Sequence, residues 1–425
     1  MPTVLLFAPY FLPRRRVGAM RPLRFAIHLR EFGWDPVVMT IASRGALTPR
    51  EAELLKGIPV VELRPPVDLT GGSESQLGQG EGRRTAASGL LRLRLPVDGW
   101  LPFFLWSYRR ILREVRRIGP DAVWSTGDPW SGLVITEMLC RRLGIPWIAD
   151  FRDPWTLCRV RSRGRGPVVR ALDRRFEGRV LRGADAVLFQ ATETERRYRE
   201  RFAELGLRTT TIINSFDEAL LADPVLEAGP HPAGPGGRLR IGFFGRFREM
   251  SPAGPVIDAL AEAGRRDPEL AAEVHVHSFG PLNTEDRSRA EAHGLADRFH
   301  AEEAVPLEQA LSALRRFDVL LLSTHPDRDE IIPAKLLEYL AVGRPILSLS
   351  PNPEVARILE ETGTGVQMPV DDTAGLADLL LRCADAKRQG DPLPIPFACD
   401  RERVAAYEAR ATTRQLADLL DSIVR

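Results

Sequence analysis

The sequence has few cysteines, almost no lysine and no long apolar run. Its four cysteines show neither CxxC nor Cys/His ligand spacing, which argues for free thiols and against a zinc site; they are Cys140, Cys158, Cys383 and Cys399. No apolar run approaches the roughly 20 residues that a membrane-spanning helix needs. No basic segment precedes the apolar residues at the start, so a signal peptide is not predicted. The cytosol is therefore the expected compartment.

Lysine supplies only three of the 59 basic residues, and the net charge is +2. We attribute the arginine bias to genomic base composition, and we expect no nucleic-acid partner. The seven histidines form no HExxH pattern, no GxSxG arrangement stands out, and no GxGxxG follows the first apolar run. These absences argue against a zinc protease, a serine hydrolase and a nicotinamide dehydrogenase.

A chain of 425 residues exceeds the usual size of one hydrophobic core, so two domains are expected. Apolar runs rich in Val, Ile and Leu alternate with helical patterns, which is typical of parallel sheets wrapped by helices. We predict an α/β fold of two Rossmann-like domains. Six strands are predicted near 3–8, 36–40, 121–125, 146–150, 185–190 and 209–213. Six more are predicted near 238–243, 273–278, 297–300, 317–323, 345–349 and 365–368.

Composition also sets the predicted domain boundaries. Residues 1–225 form the predicted N-terminal domain, and its Gly/Ser-rich insert at about 70–90 is expected to be mobile. Pro and Gly are frequent just before residue 238, so 226–237 is the predicted linker. Residues 238–395 are the predicted C-terminal domain. A last helical pattern occupies 396–425.

Two acids, Glu330 and Glu338, stand with seven residues between them around a predicted loop-to-helix junction. Pro333 suits the first helical position, because its missing N–H would be unpaired there anyway. The backbone N–H groups at such a helix start favour a phosphate, and Lys335 adds a positive charge. The carboxylates can accept hydrogen bonds from sugar hydroxyls. The pattern predicts a pocket for a sugar joined to phosphate; the alternative is an amphipathic helix with two solvated acids.

The stretch from Asp318 to Leu349 resembles the E-x7-E region of retaining glycosyltransferases of family 4, whose fold is called GT-B. The resemblance covers most of the chain. It implies a cleft between two Rossmann-like domains, with the acceptor on the first domain and the nucleotide sugar on the second. It also implies that Glu330 meets the transferred sugar and Glu338 the ribose, and that the 396–425 helix crosses back to the first domain.

Two glycine turns extend this resemblance. Gly245 and Arg246 follow a predicted strand and look like the family's G-R-L turn, in which the backbone and the arginine bind the donor diphosphate. The family usually has a Lys several residues onward, and this chain has none. Gly18 and Arg21 open the first helix where the family often has a Gly-Gly pair, and they are the other donor-binding candidates. The alternative for both is a plain turn into a helix.

Acids elsewhere offer further candidates. The run Asp150-Phe-Arg152-Asp153-Pro-Trp155 looks like the D-x-R-D-P-W stretch of a bacterial subgroup of these enzymes. Asp153 is the candidate that accepts a proton from, or orients, the acceptor hydroxyl. The alternative is an internal ion pair between Asp150 and Arg152. Asp327 and Asp329 form a DxD triplet, but such triplets are frequent by chance and the fold normally needs no metal, so we expect neither a metal nor a cofactor.

Residues 100–117 combine aromatic side chains with five arginines: Arg109, Arg110, Arg113, Arg116 and Arg117. Aromatic residues beside cations suit the surface of an anionic membrane. Such a contact at the inner face of the membrane would make the acceptor lipid-linked. The alternative is an aromatic cluster in the core followed by a solvated helix face.

The sequence thus predicts a glycosyltransferase that moves a hexose from a nucleoside-diphosphate sugar to a hydroxyl acceptor, with retention of configuration. The acceptor belongs to a polysaccharide, a lipid-linked glycan or a natural product, and a role in bacterial cell-envelope synthesis is expected. Two rivals remain. One is a sugar-nucleotide epimerase on the same fold, and the other is a non-catalytic protein that binds nucleotide sugars or acts as a scaffold.

Overall fold

The computed structural model describes residues 1–14, 17–43, 45–65, 95–158, 164–217, 237–303 and 307–424. The predicted insert at 70–90 and all of the predicted linker except Gly237 lie outside these ranges. The chain divides into two compact units. Unit 1 contains residues 1–215 and 409–425, and unit 2 contains residues 216–408.

Unit 1 is built on a parallel sheet with seven described strands in the order β3-β2-β1-β4-β5-β6-β7. The strands are β1 (Thr3–Phe7), β2 (Asp35–Ile41), β3 (Val60–Leu63), β4 (Ala122–Gly127), β5 (Trp147–Phe151), β6 (Ala186–Phe189) and β7 (Thr209–Thr211). All residues of β4, β5 and β6 are buried, as expected for strands covered on both faces. The sequence patterns did not predict β3, a short strand at the edge.

The helices of unit 1 are α1 (Val17–His28), α2 (Pro49–Leu54), α3 (Leu101–Ile118), α4 (Ser131–Leu143), α5 (Pro167–Gly183), α6 (Thr192–Arg201) and a last helix, Ala409–Val424. This last helix packs on α1. Trp34 Nε1 donates to Asp421 Oδ1 at 3.0 Å, and Arg410 pairs with Glu31 at 2.9 Å. The predicted terminal segment 396–425 therefore divides after residue 408, and only its second part belongs to unit 1.

Unit 2 has a parallel sheet of six described strands in the order β10-β9-β8-β11-β12-β13. They are β8 (Leu239–Phe243), β9 (Val274–Ser278), β10 (Phe299–Ala301), β11 (Val319–Ser323), β12 (Ile346–Leu349) and β13 (Gly365–Met368). The order equals the Rossmann order 3-2-1-4-5-6, in which ligands bind where the order reverses, here between β8 and β11. The predicted α/β class with two Rossmann-like domains is confirmed.

Helices cover both faces of this sheet in the usual alternation with strands. They are α7 (Gly254–Arg266), α8 (Pro268–Ala272), α9 (Thr284–Ala292), α10 (Leu307–Leu314), α11 (Ala334–Val342), α12 (Pro353–Thr362), α13 (Thr373–Gln389) and α14 (Arg401–Ala405), and the last helix of unit 1 becomes α15. The helix that carries Lys335 and Glu338 is α11. Pro333 is its N-cap residue, so the helix begins one residue later than predicted.

Candidate functional site

The glycine turn of unit 2 follows β8 directly, at the point where the strand order reverses. Gly245 has φ +92°, a left-handed conformation that favours glycine. The Tyr339 hydroxyl accepts a hydrogen bond from Phe244 N at 2.8 Å and donates one to Leu321 O at 3.0 Å. Tyr339 lies on α11, so this buried side chain fixes the turn against the helix that carries Lys335.

Lys335 lies beside this turn. Its Nζ is 3.8 Å from the centroid of the Phe243 ring, which allows a cation–π contact. A Cβ built on Gly245 would lie 3.9 Å from Lys335 Cε. The structure therefore brings together Gly245 and Lys335, two candidates that are 90 positions apart in the sequence.

Burial and a neighbouring cation lower the pKa of Lys335 from its usual 10.5 to about 7. Burial is the larger cause, the charge of Arg248 adds to it, and Glu338 opposes both. Arg248 is exposed and was not a sequence candidate. The family pattern usually has a lysine after the glycine turn, and this chain lacks it. The sequence signal that could have identified Arg248 was its position two residues after Arg246. A cation held beside another cation is stabilised by a bound anion.

The side chain of Arg246 lies beside the end of β9. A Cβ built on Gly280, which follows that strand with φ +134°, would lie 3.2 Å from Arg246 Cγ. Among the described residues, neither Arg246 nor Arg248 forms an ion pair with an acid. Both guanidinium groups therefore keep N–H donors for an anionic ligand.

Glu330 is 4% exposed, and its Oε1 lies 2.9 Å from Nε of Arg328. The backbone after it is fixed by Asn352, whose Nδ2 donates to Ile331 O at 2.7 Å. No side chain caps the N-terminus of α11, and Glu338 is partly buried on the second turn of the helix. Asn352 was not predicted as a site residue, because it follows a strand 22 residues later in the chain.

The DxD triplet of unit 2 lies just before Glu330. The Asp327 backbone N–H donates to His325 Nδ1 at 3.1 Å. Within the described ranges, neither Asp327 nor Asp329 belongs to a group of three side chains close enough to share a metal ion.

In unit 1, Arg21 is 4% exposed and forms a two-point ion pair with the fully buried Asp150. The distances are 2.9 Å from Nε and 3.2 Å from Nη2. The same guanidinium also donates to the carbonyl groups of Ile212 and Ile213 and to Asn214 Oδ1. Its five N–H groups are matched by these five contacts. The geometry favours a structural role for Arg21 over the predicted donor contact.

Arg152 pairs with Asp153 at 3.0 Å, and not with Asp150 as the alternative in the sequence analysis proposed. Burial opposes the charge of Arg152, but the carboxylates of Asp153, Asp128 and Asp150 outweigh it and raise its pKa. A Cβ on Gly18 would overlap Arg152 Nη1, so the glycine leaves room for this side chain. Asp153 keeps 32% of its side chain exposed and remains accessible to a hydroxyl group.

The loop after Asp153 is anchored by two residues that the sequence patterns did not single out, Glu177 on α5 and Tyr198 on α6. Trp155 N donates to the Tyr198 hydroxyl at 2.8 Å, and that hydroxyl donates to Glu177 Oε1 at 2.6 Å. Thr156 N donates to the same oxygen at 3.0 Å. Burial raises the pKa of Glu177 against these hydrogen bonds.

The large apolar side chains at the start of α3, the helix predicted to contact a membrane, are partly buried in the core and partly exposed. Trp100, Phe103 and Phe104 are buried in the core of unit 1, as the alternative prediction required. Leu105 is 49% exposed and Trp106 is 68% exposed. No helix in the described part of the chain is long and apolar enough to span a membrane.

Comparison with known proteins identifies the family. The family model described as glycosyl transferase 4-like domain matches residues 18–209, and the one described as glycosyl transferases group 1 matches residues 238–386. No curated protein matches the chain.

Many solved structures share the fold, among them the following three. Sucrose-phosphate synthase from Thermosynechococcus elongatus has a TM-score of 0.64 at 15% identity and covers 99% of both chains. HepE from Anabaena, in complex with UDP and glucose, has a TM-score of 0.63 at 14% identity, with 99% of this chain and 100% of the other covered. A putative UDP-N-acetylglucosamine 2-epimerase from Listeria monocytogenes has a TM-score of 0.52 at 14% identity, covering 99% and 96%. The solved structures show the fold alone, and the two family models show that this chain is an enzyme of the group 1 glycosyltransferases.

Proposed function

We propose that the protein transfers a hexose from a nucleoside-diphosphate sugar to a hydroxyl acceptor, with retention of configuration. The observation that carries this proposal is the group of three cations at the carboxyl end of β8. Lys335 lies beside Gly245, Arg248 acts on its charge, and Arg246 follows the same turn. The uncapped start of α11 adds backbone N–H donors.

These cations act on the leaving group. Negative charge develops on the diphosphate as the glycosidic bond breaks, so donors placed there stabilise the transition state more than the bound substrate. We assign no carboxylate of the described residues as a nucleophile on the acceptor side. We therefore propose a same-face displacement assisted by the leaving phosphate, without a metal ion or other cofactor.

The two acids of unit 2 have separate proposed roles. Glu338, on α11, accepts hydrogen bonds from the ribose hydroxyls. Glu330, oriented by Arg328, contacts the hydroxyls of the transferred sugar. Uridine is the first base to test, because HepE binds UDP and glucose on the same fold. On unit 1, Asp153 is the proposed contact for the acceptor hydroxyl.

A donor panel tests the proposal. Purified enzyme is given UDP-hexoses and other nucleotide sugars with a membrane extract as acceptor source, and nucleotide release and the anomeric configuration of the product are measured. Glu330→Gln is expected to lower kcat roughly 10²-fold with little change in KM. Glu338→Gln is expected to raise KM about tenfold or more, because a hydrogen bond to a charged group is lost.

Glu360→Gln, an exposed acid on α12, is the matched control and should behave as the wild type. Full turnover by both site variants contradicts the site assignment. Interconversion of the donor sugar without an acceptor would instead indicate the epimerase. Tight donor binding without either reaction would indicate a binding protein.

We further propose a peripheral membrane contact through α3 and a lipid-linked acceptor. Leu105 and Trp106 are exposed, and the exposed Arg109, Arg113 and Arg116 continue the same helical face. Each basic residue near an anionic surface contributes about 1 kcal/mol. The contact would place the enzyme in the cytoplasm at the inner face of the membrane.

Co-sedimentation with vesicles measures this contact. Replacing the three arginines of the α3 face with Glu should abolish binding to vesicles that contain phosphatidylglycerol, and Trp106→Ala should weaken it. Equal binding by wild type and the Glu variant, or none by either, would exclude the contact.

A further inference from the structure

Unit 1 contains a cavity of about 240 Å³ that begins two residues after Asp153. Its lining combines part of the loop after β5 with side chains from around α5 and the end of α6, namely Trp155, Thr156, Leu157, Arg165, Arg170, Asp173, Arg174 and Arg201. Four arginines against one aspartate give the lining a net charge of +3.

The one acid in the lining of the cavity, Asp173, forms an ion pair with Arg165. Asp173 Oδ2 lies 2.8 Å from Nε of Arg165, and both side chains are buried. Asp173 Oδ1 also accepts a hydrogen bond from Val97 N at 2.6 Å. This pair builds the wall of the cavity, and it leaves the positive charge of the other arginines uncompensated.

Arg170, Arg174 and Arg201 are exposed, and none of their side chains forms an ion pair or hydrogen bond with another described residue. The fully buried Trp155 adds an indole N–H without a hydrogen-bond partner in the described part of the chain. A cavity lined by several guanidinium groups is suited to an anion with several acceptor oxygens.

The size of the cavity limits the ligand. Pockets for whole drug-sized ligands are roughly 300–1,000 Å³, and this cavity is smaller. It suits a phosphate or diphosphate group whose remaining part extends outside. Trp155 and Asp153 belong to one loop, so the cavity adjoins the segment that carries the proposed contact for the acceptor hydroxyl.

We propose that this arginine cavity binds a phosphate or diphosphate group of the acceptor, so that the acceptor is a phosphorylated sugar or a lipid-linked glycan diphosphate. The proposal rests on the proposed function, because it assigns the acceptor of the same reaction. It differs from the donor site in position, since every lining residue belongs to unit 1.

The test measures binding of inorganic diphosphate by calorimetry in the presence of UDP, which occupies the donor site of unit 2. A triple variant, Arg170→Gln with Arg174→Gln and Arg201→Gln, should weaken binding at least tenfold. A triple Lys variant of the same positions should retain part of the affinity, because the charge is kept. The matched control replaces the exposed arginines Arg142, Arg182 and Arg199 with Gln, and it should bind as the wild type.

Two soluble probes identify the source of the phosphate. Stronger binding of geranyl diphosphate than of galactose 1-phosphate indicates a lipid-linked acceptor, and the reverse order indicates a phosphorylated sugar. Binding that is unchanged in the Gln variant overturns the proposal. The outcome is independent of the donor assignment: a diphosphate site lost with these arginines stands even if Glu330 and Glu338 variants keep full turnover.

Discussion

The charged side chains at the strand ends are paired differently in the two units. In unit 1, Asp150 is neutralised by Arg21 and Asp153 is paired with Arg152. In unit 2, Lys335 lies close to Arg248 and has a lowered pKa, and no described acid pairs with Arg246. Charged residues at the carboxyl ends of parallel strands therefore serve two purposes in this chain. The pairs of Asp150 and Asp153 hold a loop of unit 1 together. Arg246 and Arg248, after β8 of unit 2, form no ion pair with a described acid, and an anionic ligand would supply that partner.

The largest expected effect comes from breaking the buried pair of unit 1. Arg21→Met leaves Asp150 buried without its cation and should lower the free energy of unfolding by about 3–5 kcal/mol. All seven tryptophans lie between residues 34 and 155, so tryptophan fluorescence during urea unfolding reports on unit 1. Arg30→Ala, which removes an exposed pair with Asp35, is the control and should cost about 1 kcal/mol or less. An equal cost for both would contradict the structural role of Arg21.

The next effect concerns the cation of unit 2. With a pKa of about 7, Lys335 is protonated below that pH and loses its charge as the pH rises through it. Affinity for a nucleoside diphosphate should therefore fall several-fold between pH 6 and pH 8.5, measured by calorimetry. Bound anion raises the pKa and moves this loss to higher pH.

Variants of Lys335 test the origin of that pH dependence. Lys335→Arg keeps its charge and should flatten the profile, and Lys335→Met should bind weakly at every pH. A wild-type profile that stays flat would contradict the assignment. Linkage gives the opposite slope for stability: the unfolded lysine holds its proton up to about pH 10.5, so the contribution of Lys335 to stability should rise with pH between 7 and 10.5.

A smaller effect is expected where Gly18 makes room for Arg152. Gly18→Ala places a methyl group against the guanidinium and should destabilise unit 1 by about 1–3 kcal/mol, as overpacking does. The same fluorescence measurement applies. Gly178→Ala, at an open position on α5, is the matched control and should be neutral or slightly stabilising. A Gly18 variant as stable as this control would show that Arg152 moves aside freely.

The smallest expected effect concerns the contribution of Arg248 to the lowered pKa of Lys335. Arg248 is exposed, so its charge is screened and is the lesser cause of the lowered pKa. Arg248→Gln should move the midpoint of the affinity profile upward by a few tenths of a pH unit, and high salt should reduce the difference. A downward shift would mean that Arg248 does not act on Lys335.

Strands were predictable from the sequence because a strand buried on both faces is a short apolar run between turn residues. All twelve predicted strands are present in the structure. The strand that was missed, Val60–Leu63, lies at the sheet edge with Val60 38% exposed, so its pattern carries less apolar signal. The glycine turn and the acids of unit 2 were predictable as residues, since their types and spacing resemble a family motif.

The partners of these residues were not predictable. Arg21 reaches an acid 129 positions away, and it was assigned to a ligand because the sequence does not show that β1 and β5 flank β4. Arg248 was overlooked for a related reason: its effect on Lys335 depends on the approach of α11 to the turn after β8. Glu177 and Tyr198 are ordinary helical residues until α5 and α6 pack beside the loop that carries Asp153.

The sequence by itself determined the alternation of strands and helices, the division into two Rossmann-like sheets and the residue types at the strand ends, because these depend on local periodicity and turn chemistry. Only the tertiary structure decided which charges are neutralised by the protein and which are left for a ligand. An ion pair forms between side chains that strand order and helix packing bring within about 4 Å of each other. The spacing of residues along the chain specifies neither the strand order nor the helix packing.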